Sequence, residues 1–521
     1  MKIRLIEPES PSVHLMSLWR YPRLGLPMIA ATLSAAGHDV LVYNPLLAPV
    51  DWTDVRGAGL VGISTTTSTA PAAYGIADDL RARGIPVIVG GSHVTFMADE
   101  ALEHADYVAR GEGGEQLMLE LVAALDGRRD LRSIRGLSYT LAGRRIHNDE
   151  REPCADLDDL PVPDLSLIVG HARMHSTPIM TSWGCPFACS FCSVTAMFGR
   201  KYRFRSAANV VAEIAEKHPR HIFFYDDNFA ADPRRLKDLL RLMIDRGLAT
   251  PWQAQVRTDV ARDPELLDLM VRSGCQAVAI GLESVDQATL DAYRKSQTVA
   301  DIVRAIDTLR ERGIKVHGMF VLGADMDDRD TVRDTARFAL DHRIDSIMLN
   351  VLTPAPGTKW FDEMKAEGRV FDERWDRCDG QHVVIVPLRM TPGELQSEVP
   401  DAYARFYSLR RWLGHVAGRR WVRVRDHAWC WWSVHYWARD RRNRQYLAEL
   451  TKVEPRLRLP DMSAAARRLR GAAGGLSLRG ASSGASGNLT RARATGRGRS
   501  AIGLAADVIA SQPRAWRRSP A

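Results

Sequence analysis

No stretch of the 521-residue chain approaches the roughly 18 consecutive apolar residues that a bilayer-crossing helix needs. The opening Met1-Lys2-Ile3-Arg4-Leu5-Ile6-Glu7 is too short and too soon charged for a secretory leader, so the expected location is the cytoplasm. Cysteine is scarce. Seven residues at this length exclude a disulfide framework, and three of them crowd between positions 185 and 192, where metal or catalytic work is the better reading. A basic body is lacking too: from Arg456 onward 13 Arg face only Asp461 and Asp507, a net of +11, so the overall +8 leaves −3 for everything before it. A folded nucleic-acid-binding face is not expected from that balance. What is present, 45% hydrophobic and 26% charged residues, is the composition of a globular protein, and the length suits about three domains.

Residues 1–130 alternate short apolar runs (Ile3 to Ile6, Val40 to Tyr43, Leu60 to Ser64, Val87 to Val89, Tyr107 to Ala109) with helix-like segments, the pattern of a doubly wound, Rossmann-like α/β domain. Glycines mark strand ends at Gly90-Gly91 and at Gly111-Glu112-Gly113-Gly114, and such sheets bind ligands at the carboxyl ends of their strands. Residues 131–170 read as a hairpin turning at Ala142-Gly143 and a Pro- and Asp-rich linker. Over 171–385 six further strand-helix units predict a partial (β/α)6 TIM-like barrel, with strands at Pro178 to Ser182, His221 to Tyr225, Gln253 to Arg257, Ala277 to Gly281, Val316 to Leu322 and Ile347 to Leu352. Residues 386–455 are helical in character and hold Trp412, Trp421, Trp429, Trp431, Trp432 and Trp437 among arginines. Aromatics that cap a core are the favoured reading there, and peripheral contact with a membrane surface is the other. Residues 456–521, rich in Gly, Ser, Ala and Arg, are expected to form a disordered basic tail.

The strongest motif is Gly184-Cys185-Pro186-Phe187-Ala188-Cys189-Ser190-Phe191-Cys192. Three thiolates on one loop can hold three irons of a 4Fe-4S cube, leaving the fourth open to chelate an amino acid and pass an electron into it. Zinc would need a fourth ligand, for which His175 and Cys154 are the upstream candidates near in sequence; three buried structural thiols are the bland alternative. Cys275, Cys378 and Cys430 read as packing residues.

This loop, with Phe191 before its last cysteine, resembles the signature of the radical S-adenosylmethionine superfamily. The resemblance implies Cys185, Cys189 and Cys192 as cluster ligands and reductive cleavage of S-adenosylmethionine to a 5'-deoxyadenosyl radical. It extends to strand ends. Tyr225-Asp226-Asp227-Asn228 resembles the segment that grips the methionine amino group, which implies Asp226, Asp227 and Asn228 as contacts. Gly281-Leu282-Glu283-Ser284 resembles the ribose-side segment and implies Glu283 and Ser284; the strand from Val316 to Gly323 resembles the adenine side and implies Gly318 and Val321. Leu352-Thr353-Pro354-Ala355-Pro356-Gly357-Thr358 matches a recurring phrase of the family, most simply a rigid turn, and Arg203 and Arg205 its basic stretch.

A doubly wound domain ahead of such a barrel is the layout of cobalamin-binding members of that superfamily. The resemblance implies a Ser-containing loop and a Gly-Gly pair some 26 to 28 residues on; here Ser64 and Thr65 are followed by Gly90-Gly91, 25 residues intervening after Ser64, with His93 beside them. The DxHxxG motif of cobalamin domains is missing: the first loop reads Pro8-Glu9-Ser10-Pro11-Ser12-Val13-His14-Leu15, so no axial histidine is assigned. Implied in sum are a 4Fe-4S cluster, S-adenosylmethionine and cobalamin, a small-molecule substrate, and an electron donor such as a flavodoxin or ferredoxin. The expected function is methylation of an unactivated carbon of a small metabolite, natural-product intermediate or lipid via methylcobalamin. Cyclisation or oxidation with the same cofactors, and a non-catalytic binder or sensor, are the alternatives. A tRNA-methylthiolating enzyme is set aside, because no cysteine precedes Cys154.

Overall fold

The structure, a computed structural model, describes residues 1–11, 21–418, 421–437 and 439–457. His14 and, apart from its first two residues, the basic tail lie outside the described residues, as does the side chain of Trp421.

The amino-terminal sheet contains β1 (Lys2–Ile6), β2 (Asp39–Tyr43), β3 (Leu60–Thr65), β4 (Val87–Gly91), β5 (Tyr107–Ala109), β6 (Leu137–Leu141) and β7 (Arg144–His147) in the order β2-β1-β3-β4-β5-β6-β7. Its first five strands are parallel, and helices on both faces bury runs such as Leu60-Val61-Gly62-Ile63, as the alternating pattern required. The hairpin expected to belong to a linker is instead part of this sheet. β6 pairs antiparallel with β5, Tyr107 opposite Tyr139, because Leu137 and Tyr139 need the same core as the strands before them. The rest of that segment is tied down as well: Val169 donates to the Val42 carbonyl at 2.9 Å along the free edge of β2.

The second unit contains β8 (Thr177–Ile179), a small ribbon of β9 (Ser182–Trp183) and β10 (Arg203–Phe204), then β11 (Ile222–Phe224), β12 (Trp252–Val256), β13 (Cys275–Glu283), β14 (Lys315–Leu322) and β15 (Ser346–Val351). Six strands form one wholly parallel sheet, β15-β14-β13-β12-β11-β8. One residue of each pair faces the helices and is buried; the other, as with Phe223, Gln253, Gln255, Met319, Val321 and Asn350, faces inward and keeps some exposure. Five helices follow, each within a residue of the bounds that the 3.6-residue pattern suggests (207–217, 233–245, 264–273, 300–312 and 330–342): Ala207–Lys217, Pro233–Asp245, Pro264–Ser273, Val299–Glu311 and Arg329–Asp341. Ser206, Asp232, Asp263, Thr298 and Asp328 each cap one of them through backbone N–H groups of its first turn. The loops entering those helices are therefore held at their far ends, and these are the loops that carry the candidate site.

An open barrel leaves an unpaired strand edge, and here the helix Pro392–Phe406 and its end cover it. Tyr403 donates to the Leu349 carbonyl (3.1 Å) and accepts from the Leu349 amide (2.6 Å), and Tyr407 does the same at Ile347 (3.2 and 3.1 Å). Two hydroxyls thus stand in for a seventh strand. The core cap expected of the tryptophans falls to Tyr403, Phe406 and Tyr407, all buried. Trp412, Trp429, Trp432 and Trp437 are half-buried and Trp431 is exposed.

Candidate functional site

The carboxyl edges of the two sheets face each other. Glu112, just past β5, pairs with Arg203 of β10; a Cβ on Gly357, in the turn after β15, would come within 2.4–2.5 Å of the Phe96 ring, just past β4. Tyr21 reaches into the barrel, its ring stacked on Phe223 at 4.6 Å and its hydroxyl accepting from Gln253.

Cys185, Cys189 and Cys192 are free thiols of intermediate exposure on the loop after β9. Gly184 turns the chain into that loop at φ +80°, and a Cβ there would lie 2.6 Å from the Lys201 carbonyl, so no other residue fits. Ser190 N–H donates to the Tyr293 carbonyl (3.1 Å), Phe191 meets the Tyr293 ring edge-on at 4.8 Å, and the Arg257 guanidinium lies 3.7 Å from the centre of the Phe187 ring. Burial pushes the Cys185 thiol up and that of Cys192 up to about 11. Among the described residues no group of three or more His, Cys, Asp or Glu gathers around a point as a single ion requires. A cube gives each thiolate a different iron and needs no such convergence. The Cys154 thiol donates to the Asp156 carbonyl instead.

The three residues after Tyr225 divide. Asp226 is fully buried, accepting from Thr181 N–H, Ser182 N–H and the Thr181 hydroxyl at 2.6–2.7 Å. It brackets the start of the cysteine loop to β11 and has no face left for a ligand, which corrects its expected role. Asp227 is exposed and lies near the cysteine loop, with the buried Asp226 carboxyl beside it. Asn228 is 2% exposed, and its Oδ1 is buried with no hydrogen-bond partner.

Glu283 ends β13 at φ +64°, a conformation costly for a side-chain-bearing residue, where the pairing with β14 shifts register. It accepts from Lys295 Nζ at 2.6 Å, and Lys295 sits between Arg294 and Ser296, both also at positive φ. Ser284 beside it is fully buried and accepts from the Asp286 amide. Gly318 does not face the barrel interior: a Cβ on it would meet Leu282, Phe320 and Ile344 at 3.1–3.4 Å, on the helix side. Close approach of an adenine ring therefore does not explain this glycine, whereas Val321 does lie on the inward face.

On the facing sheet Ser64 and buried Thr65 end β3, and the Thr65 hydroxyl donates to the Gly90 carbonyl (2.9 Å). Gly91, at φ +110°, would put a Cβ 2.2 Å from the Thr65 carbonyl oxygen; Gly90 would meet only Ala109, at an ordinary 3.5 Å. His93 is turned away. It is 1% exposed, 5.0 Å from the Trp375 ring and 3.6 Å from Glu100, whose carboxylate accepts from the Trp375 indole N–H. It packs the contact with the segment after the barrel and is no cobalamin contact.

The sequence model of the Radical SAM superfamily matches residues 179–339, and that of the B12 binding domain residues 19–119. The chain belongs to the cobalamin-binding radical S-adenosylmethionine proteins. It is similar to the bacteriochlorophyllide d C-12(1)-methyltransferase of Chlorobaculum tepidum, 29% identical over 70% of this chain and 78% of that one. It is also similar to the anaerobic magnesium-protoporphyrin IX monomethyl ester cyclase of Cereibacter sphaeroides, 32% identical over 68% of this chain and 61% of that one. The fold is shared with the radical S-adenosylmethionine methyltransferase TsrM of Kitasatospora setae, in a structure with cobalamin and a [4Fe-4S] cluster, at a TM-score of 0.59, 21% identity and coverage of 76% of this chain and 84% of that one.

This radical S-adenosylmethionine protein is an enzyme, and its cofactors are a 4Fe-4S cluster, S-adenosylmethionine and cobalamin. The residues present fit them. A three-thiol loop lies near Asp227, the next residue has a buried amide oxygen without a partner, and the other sheet ends on Gly90, where a Cβ would meet nothing closer than 3.5 Å among the described residues. Sequence reasoning missed Arg257, Lys295 and the Glu112–Arg203 pair, since their partners lie 38, 12 and 91 residues away. Only the glycines around Glu112 and the basic stretch that holds Arg203 signalled any of them, and neither showed that the two pair.

Proposed function

We propose that this enzyme methylates an unactivated carbon of a small metabolite, natural-product intermediate or lipid. The observation that carries this reading is that Glu112, past β5 and next to the β4 end that holds Gly90-Gly91, pairs with Arg203 of the ribbon from which the three-cysteine loop leaves. When bound, the cofactors supply a carbon-centred radical and a transferable methyl group. Cys185, Cys189 and Cys192 hold the cluster. The Asn228 amide oxygen accepts from the methionine ammonium, with Asp227 adding charge beside it, and Ser284 and Val321 border the nucleoside. Glu283, held by Lys295, orients toward the ribose. Ser64, Thr65, Gly90 and Gly91 form the corrinoid edge. Between the two edges, half-buried inward groups such as Gln255 and Asn350 are placed to orient a substrate. A flavodoxin or ferredoxin supplies the electron.

The test is anaerobic turnover with S-adenosylmethionine labelled in its methyl group. Label in product together with 5'-deoxyadenosine supports methylation. An unlabelled ring-closed or oxidised product supports instead the second reading, which the resemblance to the cyclase favours.

A further inference from the structure

Charge is divided unequally along this chain. Residues 405–445 contain 11 Arg, no Lys or Glu, and only Asp426 and Asp440, a net of +9, whereas residues 1–404 sum to −11. The stretch forms two successive helices, Leu409–Ala417 and Trp421–Trp437, and the start of a third, Arg441–Val453. Their inner sides are committed to the protein: His427 accompanies the Ser408 carbonyl, and Arg411 donates to the Ile344 carbonyl at the end of the barrel sheet.

Their outer sides carry apolar groups that stay exposed among the described residues. Leu409 is 52% exposed and Leu413, one turn on, 47%; Trp431 and Tyr436 are each 38% exposed. Five of the twelve large apolar side chains left exposed among the described residues lie within 409–453. Trp432 stacks on Tyr436 at 4.8 Å and Trp431 leans on His435 at 4.2 Å, so the rings stand as rigid pairs. Arg410, Arg425, Arg439, Arg441 and Arg444 are exposed among them. No helix here is long and apolar enough to cross a membrane. Leucine and tryptophan side chains interleaved with arginine are the composition of a surface lying in a headgroup layer, with apolar groups dipping below the phosphates and guanidinium groups pairing with them.

We propose that the outer faces of these helices dock the enzyme on an anionic phospholipid bilayer. Charge complementarity picks the occupant: a second copy apposed through the same face would set two strongly basic faces together, and a neutral surface would leave the arginines unpaired. A nucleic acid would satisfy the arginines but give Leu409 and Leu413 no apolar partner.

Sedimentation of the full-length chain with vesicles tests this. Vesicles of equal phosphatidylcholine and phosphatidylglycerol are expected to bind it at least about tenfold more tightly than phosphatidylcholine alone, with binding weakened as salt rises from about 0.1 to about 0.5 M. The triple variant Leu409→Asp, Leu413→Asp, Trp431→Asp is expected to lose about tenfold of that affinity while keeping its circular dichroism and melting temperature. If the variant unfolds, Leu409→Gln with Leu413→Gln is measured instead and is expected to weaken binding in the same direction. Equal binding to both vesicles, unchanged binding of a folded variant, or preference for a duplex oligonucleotide over the anionic vesicles would overturn the proposal.

Discussion

Arg203 and Glu112 form a two-pronged ion pair across the two sheets, at 2.7 and 2.5 Å, with both side chains 4% exposed. Arg203 also holds the Cys154 carbonyl, so one guanidinium ties together the amino-terminal domain, the connecting segment and the ribbon beside the cysteine loop. Glu112→Gln or Arg203→Met alone strands a buried charge and is expected to lower stability by about 3–5 kcal/mol. The double variant should recover a large part of that loss. Chemical denaturation of the three proteins checks it; additive losses would mean that the two groups do not act as a pair.

The adjacent glycines that end β4 separate a structural requirement from a ligand's requirement. Gly91→Ala forces a left-handed backbone on alanine and a 2.2 Å contact with Thr65, so it is expected to cost at least about 2 kcal/mol and corrinoid binding with it. Gly90→Ala meets nothing closer than 3.5 Å and should leave the melting temperature unchanged while weakening corrinoid binding. Thermal melts and corrinoid titration of both variants discriminate; a Gly90→Ala protein that binds normally removes Gly90 from the cofactor edge.

Strand runs and helix bounds were legible because period-two and 3.6-residue patterns are local. What lay beyond the sequence was mostly direction. Asp226 and Asp227 are neighbours, yet one turns into the protein and the other toward the cysteine loop, which depends on where Thr181 and Ser182 fall. Gly318 and Val321 belong to one strand, mostly apolar on both faces, so alternation separates their faces without saying which is inside. His93 was misplaced because its partners Glu100 and Trp375 are distant or on another element. The tryptophans follow the same rule: composition announced a special region, not which side of each helix would be covered.

Burial lowers His427 to about 4, with His415 and Arg411 adding to the shift and the Ser408 carbonyl opposing it. A histidine kept neutral in the folded state contributes stability that is full above its unfolded value near 6.5. That stability is lost as pH falls toward 4, because only the unfolded chain takes up the proton in that window. The loss is at most about 3 kcal/mol. Melting temperature should therefore fall between pH 7 and pH 5 more steeply in the native chain than in His427→Gln; equal slopes would show that His427 does not contribute.

Tyr403 and Tyr407 seal the last barrel strand through four hydrogen bonds. Phenylalanine at either position keeps the ring and strands one buried N–H and one C=O, at a cost of about 1–3 kcal/mol each. Hydrogen exchange at Leu349 and Ile347 should accelerate in the matching variant only; unchanged protection would mean that the edge is covered by other means.

Anaerobic reconstitution followed by spectroscopy of the reduced cluster, with and without S-adenosylmethionine, tests the account most directly. The prediction is about four irons per chain, a spectrum that changes when S-adenosylmethionine binds the open iron, and loss of both on replacing Cys185, Cys189 or Cys192 by Ser. Zinc in place of iron, or an iron spectrum indifferent to S-adenosylmethionine, would contradict it.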